Sequence, residues 1–102
     1  MPKVIKIIPK KFDWNKGNKE KNLIKHKVSY KESEEIFFNK PLRIFPDKKH
    51  SKTEIRFTAL GKTDKQKQLT IIFTLRNKKI RIISAREMSR KERKRYEQKT
   101  KH

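Results

Sequence analysis

The sequence predicts an α+β domain with two N-terminal helices, an antiparallel β-meander sheet and a C-terminal helix. Two helix-start signals lie in the first third of the chain, and another follows residue 88. From about residue 42 to residue 85, apolar and polar residues alternate with the period of two that is typical of strands. Pro41 marks the change of period, because proline cannot continue the preceding helix.

Each predicted helix begins at residues that can bond the free backbone amides of its first turn. Asn15 can cap a helix over residues 16–26, a very polar segment. Segment 29–38 opens with a capping box, in which a Ser and a Glu three residues later bond each other's backbone amide. Segment 89–98 opens with the same box and is predicted to be the last helix.

The alternating region divides into four strands, which are predicted over residues 42–45, 54–60, 69–76 and 79–85. Gly61 and the polar run to residue 67 are read as a loop. Asn77 and Lys78 form a plausible tight hairpin turn, although the pair lacks the usual glycine.

The second strand separates the two faces of the predicted sheet. It places Ile55, Phe57 and Ala59 on one face and Glu54, Arg56 and Thr58 on the other. We expect the apolar face to take the helices as cover. The other face, which carries Glu54, Arg56, Thr74 and Arg76, is then left exposed for function.

The chain divides into one domain with short flanks. Residues 12–98 form the predicted domain, and residues 99–102 form a basic tail. Residues 1–11 are either an N-terminal extension or an edge strand, since Pro9 ends a short apolar run.

Composition points to a polyanionic partner. The 102 residues carry a net charge of +20, which favours nucleic acid or an acidic protein as ligand. The hydrophobic fraction of 31% is low enough to allow disorder, but six Phe and patterned Ile argue for a core. The absence of cysteine excludes disulfide scaffolds and thiol chemistry. No segment reaches the length of a membrane span, so we expect a cytoplasmic protein without a membrane partner.

Glu54 and Arg56 are the first candidate site. Spacing of two on a strand puts both side chains on one face, where the carboxylate can orient a guanidinium or accept a proton. The alternative is a surface ion pair of little consequence. Arg76 and, depending on register, Arg81 or Arg86 can join the same face. A spacing of five places Arg81 and Arg86 on opposite faces unless one lies beyond the strand or behind a bulge, so we expect them to differ in role.

Two histidine segments carry weaker signals. Lys25 and His26 end the first helix, where the helix dipole alone favours cations. The functional interpretation makes Lys25 a phosphate contact and His26 a proton-transfer group. His50 lies in a polar turn after Asp47 and is read as an exposed loop residue. The two have no third partner at metal-site spacing, so neither a metal nor another cofactor is assigned.

A reaction on RNA fits these side chains without a nucleotide cofactor. Gly17 and Gly61, the two glycines of the chain, lie too far apart for a phosphate-binding loop. RNA brings its own nucleophile, the 2′-hydroxyl, which attacks the adjacent phosphorus once a base removes its proton. Such a reaction needs positioning, charge stabilisation and proton transfer.

The chain resembles the BrnT-type toxins of bacterial type II toxin–antitoxin systems. The matching residues run in order through Phe12-Asp13-Trp14, Asn22, Lys25-His26, Val28, Phe37-Phe38, Pro41-Leu42, Asp47, His50-Ser51, Glu54, Arg56, Gly61, Thr74 and Arg76. The most specific part is Arg81-Ile-Ile-Ser-Ala-Arg86, followed by Glu92-Arg93 and Tyr96-Glu97. The family usually has glycine where this chain has Lys27, so lysine is strained there if the position needs a positive φ.

The resemblance implies a RelE-like ribonuclease fold, metal-independent endoribonuclease activity and inhibition of translation. It also implies a cognate ribbon-helix-helix antitoxin, with operator DNA bound only through the toxin–antitoxin complex. The residues that it assigns to catalysis are Lys25, His26, Glu54, Arg56 and Arg81, and those that it assigns to RNA binding are His50, Arg76 and Arg86. The alternatives are a non-catalytic, basic RNA-binding or ribosome-associated protein and a degenerate toxin that only binds its antitoxin.

Overall fold

A computed structural model describes residues 11–47 and 54–99 of the chain and confirms the α+β prediction. The helices are α1 (Lys16–His26), α2 (Tyr30–Glu35) and α3 (Arg90–Lys99). The strands are β1 (Arg43–Pro46), β2 (Arg56–Lys62), β3 (Gln68–Arg76) and β4 (Lys79–Glu87). They form one antiparallel sheet in the order β1-β2-β3-β4, the predicted meander. No helix in these two ranges is both long and apolar enough to cross a membrane.

The helix-start predictions are confirmed by the side chains. Asn15 and Asn18 bond each other's backbone amides at the start of α1, and Ser29 and Glu32 do so at the start of α2. α2 ends at Glu35, three residues earlier than predicted. In the turn that follows, the amides of Phe37 and Phe38 bond the carbonyls of Glu34 and Glu35, three residues before them. This turn directs Ile36 and Phe37 into the core.

The hairpin between β3 and β4 forms as predicted. Asn77 and Lys78 have φ angles of 51° and 63°, the left-handed conformation that a two-residue type I′ turn requires at both positions. Arg76 and Lys79 pair directly across it. The turn therefore places the last residue of β3 beside the first residue of β4 at one end of the sheet.

One face of the sheet carries the main core with α1 and α2. Phe37 packs edge-on against Phe73 at 5.3 Å between ring centroids, and Phe12 packs against Phe37 at 5.6 Å. The outer edge of β4 is closed from two sides. The Ala85 amide donates to the Asn22 side chain of α1, and Ile80 exchanges backbone bonds with Lys11 and Asp13.

The expectation that every helix covers the same face is wrong for α3. This helix lies on the opposite face, over a second small core of Phe45, Leu60, Met88 and Tyr96. That face is less polar than the alternation of β2 suggested, because the register sets Phe45 of β1 opposite Thr58, two residues from Leu60. The Tyr96 hydroxyl donates to the Pro41 carbonyl at 2.7 Å and fixes the end of α3.

Two residues of the β2 region differ from their predicted places. Ile55 was expected on the core face with Phe57, but it precedes the strand and is 69% exposed. Gly61 was read as the start of a loop, but it is a buried residue of β2. A Cβ there would lie 3.0 Å from the Cβ of Ile36, so the glycine allows the turn after α2 to approach the strand closely.

Candidate functional site

Glu54 lies between two guanidinium groups on the face opposite the main core. Its Oε1 is 3.7 Å from Nη2 of Arg56, and its Oε2 accepts a hydrogen bond from Nη2 of Arg76 at 3.3 Å. The exposed fractions are 27% for Glu54 and 52% for Arg76. The structure thus brings these three predicted site residues together, with the carboxylate held in place and still open to a ligand.

Arg81 lies across the sheet from Arg56. In register, Arg56 pairs with Thr74, and Thr74 pairs with Arg81, so all three side chains emerge on one face. Two strand spacings separate the Cα atoms of the two arginines by about 10 Å. Thr74 is buried between them and donates its hydroxyl to the Ile55 carbonyl at 2.7 Å. The two arginines therefore flank Thr74 on one face, where both can supply positive charge to one phosphate group.

Asp13 is the partner of Arg81, with Oδ2 3.5 Å from Nη1. Sequence reasoning did not assign Asp13 a role at the site. Its position depends on the pairing of Lys11 and Asp13 with Ile80, which is remote in sequence and has no local signal. Lys79 lies directly opposite Arg76 in register and was also missed, although the predicted hairpin turn at Asn77 and Lys78 was a local signal for this pairing.

A β-bulge decides where Arg86 lies. Ile72 pairs with Ser84 and Phe73 with Ile82, so Ile83 is an extra residue in β4. The bulge alternative is therefore correct: Arg81 and Arg86 share a face despite their spacing of five. Arg86 pairs with Thr70, under α3 and away from Glu54.

Glu92 of α3 binds the guanidinium of Arg86. The two form a bidentate ion pair at 2.7 and 2.9 Å, and Glu92 also accepts from Thr70 and from the Ser89 amide. Burial by itself raises the pKa of Glu92. The hydrogen bonds from Arg86, Ser89 and Thr70 and the charge of Arg86 outweigh it, so the pKa falls from 4.5 to about 2. Arg86 thus anchors α3 through Glu92 in this structure.

Lys25 and His26 lie at the other end of the sheet from Glu54. The carbonyl of Lys27, the next residue, accepts from the Lys67 side chain at 3.5 Å, and Lys67 immediately precedes β3. Arg76 ends that strand. Nine residues of β-strand span roughly 25 Å, so the structure does not bring Lys25 or His26 to Glu54. His50 lies outside the described residues.

Lys27 has the left-handed conformation that its place after α1 suggested, with φ 57° and ψ 34°. Its amide bonds the carbonyls of Asn22 and Leu23, which completes the C-terminal cap of α1. A lysine therefore occupies a conformation that favours glycine. The departure from the family pattern leaves the geometry of the helix end in place.

The fold and this surface define a class: a small basic α+β domain whose open sheet face presents arginines around one carboxylate, an arrangement suited to a phosphate-bearing ligand. The family model described as "Ribonuclease toxin, BrnT, of type II toxin-antitoxin system" matches residues 14–92. The chain belongs to this family of ribonuclease toxins, which implies an RNA substrate and an antitoxin partner. The match includes Glu54, Arg56, Arg76 and Arg81. No curated protein matches the chain.

Proposed function

We propose that the protein is a metal-independent endoribonuclease in which Glu54 accepts the proton of the attacking 2′-hydroxyl. The observation that carries this proposal is the position of Glu54 between Arg56 and Arg76 on an open face. A surface ion pair needs one partner of each sign. Here two guanidinium groups contact one carboxylate, and Arg81 adds a third on the same face. The positive charge that Glu54 does not neutralise is available to a phosphate group beside it.

The reaction follows from these positions. The scissile phosphate binds over Thr74, between Arg56 and Arg81. Glu54 takes the proton from the 2′-hydroxyl, the bond from 2′-oxygen to phosphorus forms, and the bond to the 5′-oxygen breaks. The arginines stabilise the charge that builds up on the phosphorane oxygens, and the departing 5′-oxygen takes up a proton. The products are a 2′,3′-cyclic phosphate and a 5′-hydroxyl.

Lys25 and His26 take another part in this proposal. We propose that a longer RNA strand reaches these two residues, where Lys25 contributes a phosphate contact. His26 can act as the proton-transfer group only at a different phosphate from the one that Glu54 serves. Replacing each separately decides between them, because loss of a general base lowers kcat about 10²–10⁴-fold.

The biological role follows from the family. Cleavage of RNA inhibits translation in the cytoplasm until a cognate antitoxin covers the basic face. We propose a ribbon-helix-helix antitoxin, through which the complex binds its operator DNA. A net charge of +20 supports an acidic toxin-binding segment in that partner.

The deciding experiment is cleavage of single-stranded RNA by the purified, folded chain in EDTA. We expect 2′,3′-cyclic phosphate ends, and a loss of at least a hundredfold with Glu54→Gln. His26→Ala is the matched comparison and is expected to cost less than tenfold. Intact RNA at stoichiometric protein would refute the proposal and favour the non-catalytic RNA-binding alternative.

A further inference from the structure

Two exposed lysines lie side by side at the outer edge of β4, on the open face of the sheet. A parallel bridge pairs Phe12 with Ile80, and the Ile80 amide donates to the Lys11 carbonyl at 2.8 Å. Phe12 and Ile80 both pack in the main core. Because successive side chains alternate between the two faces, the residues before them, Lys11 and Lys79, emerge together on the opposite face.

The lysines continue a row of positive charge across the end of the sheet. Lys79 lies directly opposite Arg76 in the register of β3 and β4. Arg76, Lys79 and Lys11 therefore lie on three neighbouring segments, each about 5 Å from the next between Cα atoms. All three residues are exposed. Like charges that lie directly opposite each other are destabilising, so this row favours an anion bound between its members.

The two lysines differ from the arginines of the sheet in their partners. Each arginine of β2, β3 and β4 has a carboxylate partner: Glu54 for Arg56 and Arg76, Asp13 for Arg81, and Glu92 for Arg86. Among the carboxylates of residues 11–47 and 54–99, none forms an ion pair with Lys11 or Lys79. The charge of this lysine pair is therefore available to the anionic group of a ligand.

The lysine pair lies one phosphate spacing from the proposed reaction centre. Lys79 is two residues from Arg81 on the same face of β4, a separation of about 7 Å along the strand. Successive phosphates of an extended single strand are separated by a similar distance. An RNA strand with one phosphate at Arg81 can thus place the neighbouring phosphate between Lys79 and Lys11.

The direction of the RNA strand follows from the geometry of the displacement. The attacking 2′-oxygen and the departing 5′-oxygen lie on opposite sides of the phosphorus atom. Glu54, the proposed base, lies just before β2, and the scissile phosphate is proposed to bind over Thr74 of β3. The departing oxygen therefore points toward β4, and the nucleotide on the 3′ side extends toward the outer edge of this strand.

We propose that Lys11 and Lys79 form a second phosphate-binding subsite, which holds the phosphate one nucleotide to the 3′ side of the cleaved one. The inference rests on the proposed function, because it takes the position of the RNA from Glu54, Arg56 and Arg81. It adds the polarity of the RNA strand across the sheet and a requirement for a charged phosphate beyond the cleavage position.

Oligonucleotides with a single cleavable position test the subsite. A deoxyribose strand with one central ribonucleotide has one 2′-hydroxyl and therefore one cleavage position. In two further strands, an uncharged methylphosphonate replaces the phosphate one nucleotide to the 3′ side or one nucleotide to the 5′ side of that position. Loss of a hydrogen bond between charged groups costs about tenfold, so we expect the 3′ replacement to lower kcat/KM by that factor and the 5′ replacement to have a smaller effect.

Two double variants connect this effect to the lysines. Lys11→Gln with Lys79→Gln should cleave the unmodified strand about tenfold more slowly and lose nothing more on the 3′ methylphosphonate. Lys21→Gln with Lys31→Gln is the matched control. It removes the same charge from exposed positions of α1 and α2, which cover the other face of the sheet, and should retain the full effect of the 3′ replacement.

Binding without turnover is measured separately with Glu54→Gln. Fluorescence anisotropy of single-stranded RNA at several salt concentrations gives the slope of log Kd against log salt. Loss of one phosphate contact reduces this slope by about 0.7 for a single strand. Addition of Lys11→Gln and Lys79→Gln should reduce the slope by that amount, whereas addition of the control pair should leave it unchanged.

The outcomes separate the two proposals. If natural RNA is not cleaved, the proposed function is refuted. Wherever no strand is cleaved, the salt slope decides: a reduction with the Lys11 and Lys79 pair alone supports the subsite, and equal slopes refute it. If the strands are cleaved and the 3′ replacement costs no more than the 5′ replacement, the function stands and the subsite is refuted. A 3′ effect that persists in Lys11→Gln with Lys79→Gln also refutes the subsite.

Discussion

Arg81 and Arg86 emerge from the same face of β4, yet each meets a different carboxylate. Arg81 faces Asp13 at 3.5 Å on the open part of the sheet, whereas Arg86 is held by Glu92 beneath α3. The bulge at Ile83 makes this arrangement possible, because it restores the face of Arg86 after an odd spacing. One face thus carries both the proposed phosphate site and an anchor for a helix.

This division predicts opposite effects for two identical substitutions. Arg81→Gln should lower kcat for RNA cleavage about 10²–10³-fold, the loss typical of a removed transition-state donor. Its free energy of unfolding should change by less than about 1 kcal/mol, since the ion pair with Asp13 is partly exposed. Initial rates and urea denaturation of the same preparations measure both quantities.

Arg86→Gln is the companion variant. It leaves the partly buried carboxylate of Glu92 without its main partner, which should cost about 1–3 kcal/mol of stability, with less than a tenfold loss of kcat below the melting temperature. A larger kinetic loss for Arg86→Gln than for Arg81→Gln would contradict the assignment.

The lowered pKa of Glu92 predicts that the fold loses stability in acid, because Glu92 anchors α3. A carboxyl whose pKa is lowered on folding, here from 4.5 to about 2, stabilises the fold fully above the unfolded value. That contribution, on the order of 2 kcal/mol when the partial exposure of Arg86 is allowed for, is lost as the pH falls from about 4.5 toward 2. Denaturation midpoints measured between pH 6 and pH 2.5 follow this loss. Glu92→Gln should be less stable at pH 6 and show a shallower decline. If stability falls equally with pH in both proteins, Glu92 does not cause the loss of stability in acid.

Sequence reasoning reached the elements of this fold but not the relations between distant ones. The capping residues Asn15 and Ser29 act locally, so their helices were predicted at the right starting points. The placement of α3 and the contact between Asp13 and Arg81 depend on pairings between remote segments. At the site, Glu54 lies beside Arg56 as predicted, although Glu54 precedes β2 and is not placed by strand alternation. The alternation of residues could not show on which face of β4 Arg86 lies, because the bulge at Ile83 has no distinct residue pattern.

Two lysines in left-handed conformations predict stabilising substitutions. Lys27 and Lys78 have φ angles of 57° and 63°, which cost a non-glycine residue roughly 1–2 kcal/mol. Glycine removes this cost but adds about 0.4–1 kcal/mol of chain entropy on folding, so Lys27→Gly and Lys78→Gly should each stabilise by about 0.5–1 kcal/mol. Thermal unfolding measures the gain. Lys31→Gly within α2 removes the same charge and should destabilise by about 1 kcal/mol. If Lys27→Gly and Lys78→Gly lose stability as Lys31→Gly does, the prediction that relief of backbone strain stabilises them is wrong.

The two glycines of the chain predict a contrasting pair of alanine variants. In Gly61→Ala, the new methyl would lie 3.0 Å from the Ile36 Cβ and 3.3 Å from the Ile36 carbonyl oxygen, inside a closely packed region. The turn after α2 must move away from β2, which should cost about 1–3 kcal/mol. Gly17→Ala lies in the first turn of α1, where the methyl lies 3.3 Å from the Asn15 side-chain oxygen and near no other described residue. Alanine restricts the unfolded chain there, so its effect should range from neutral to a gain of about 1 kcal/mol. Urea denaturation of the two variants compares them directly, and equal stabilities would refute the close approach of Ile36 to β2.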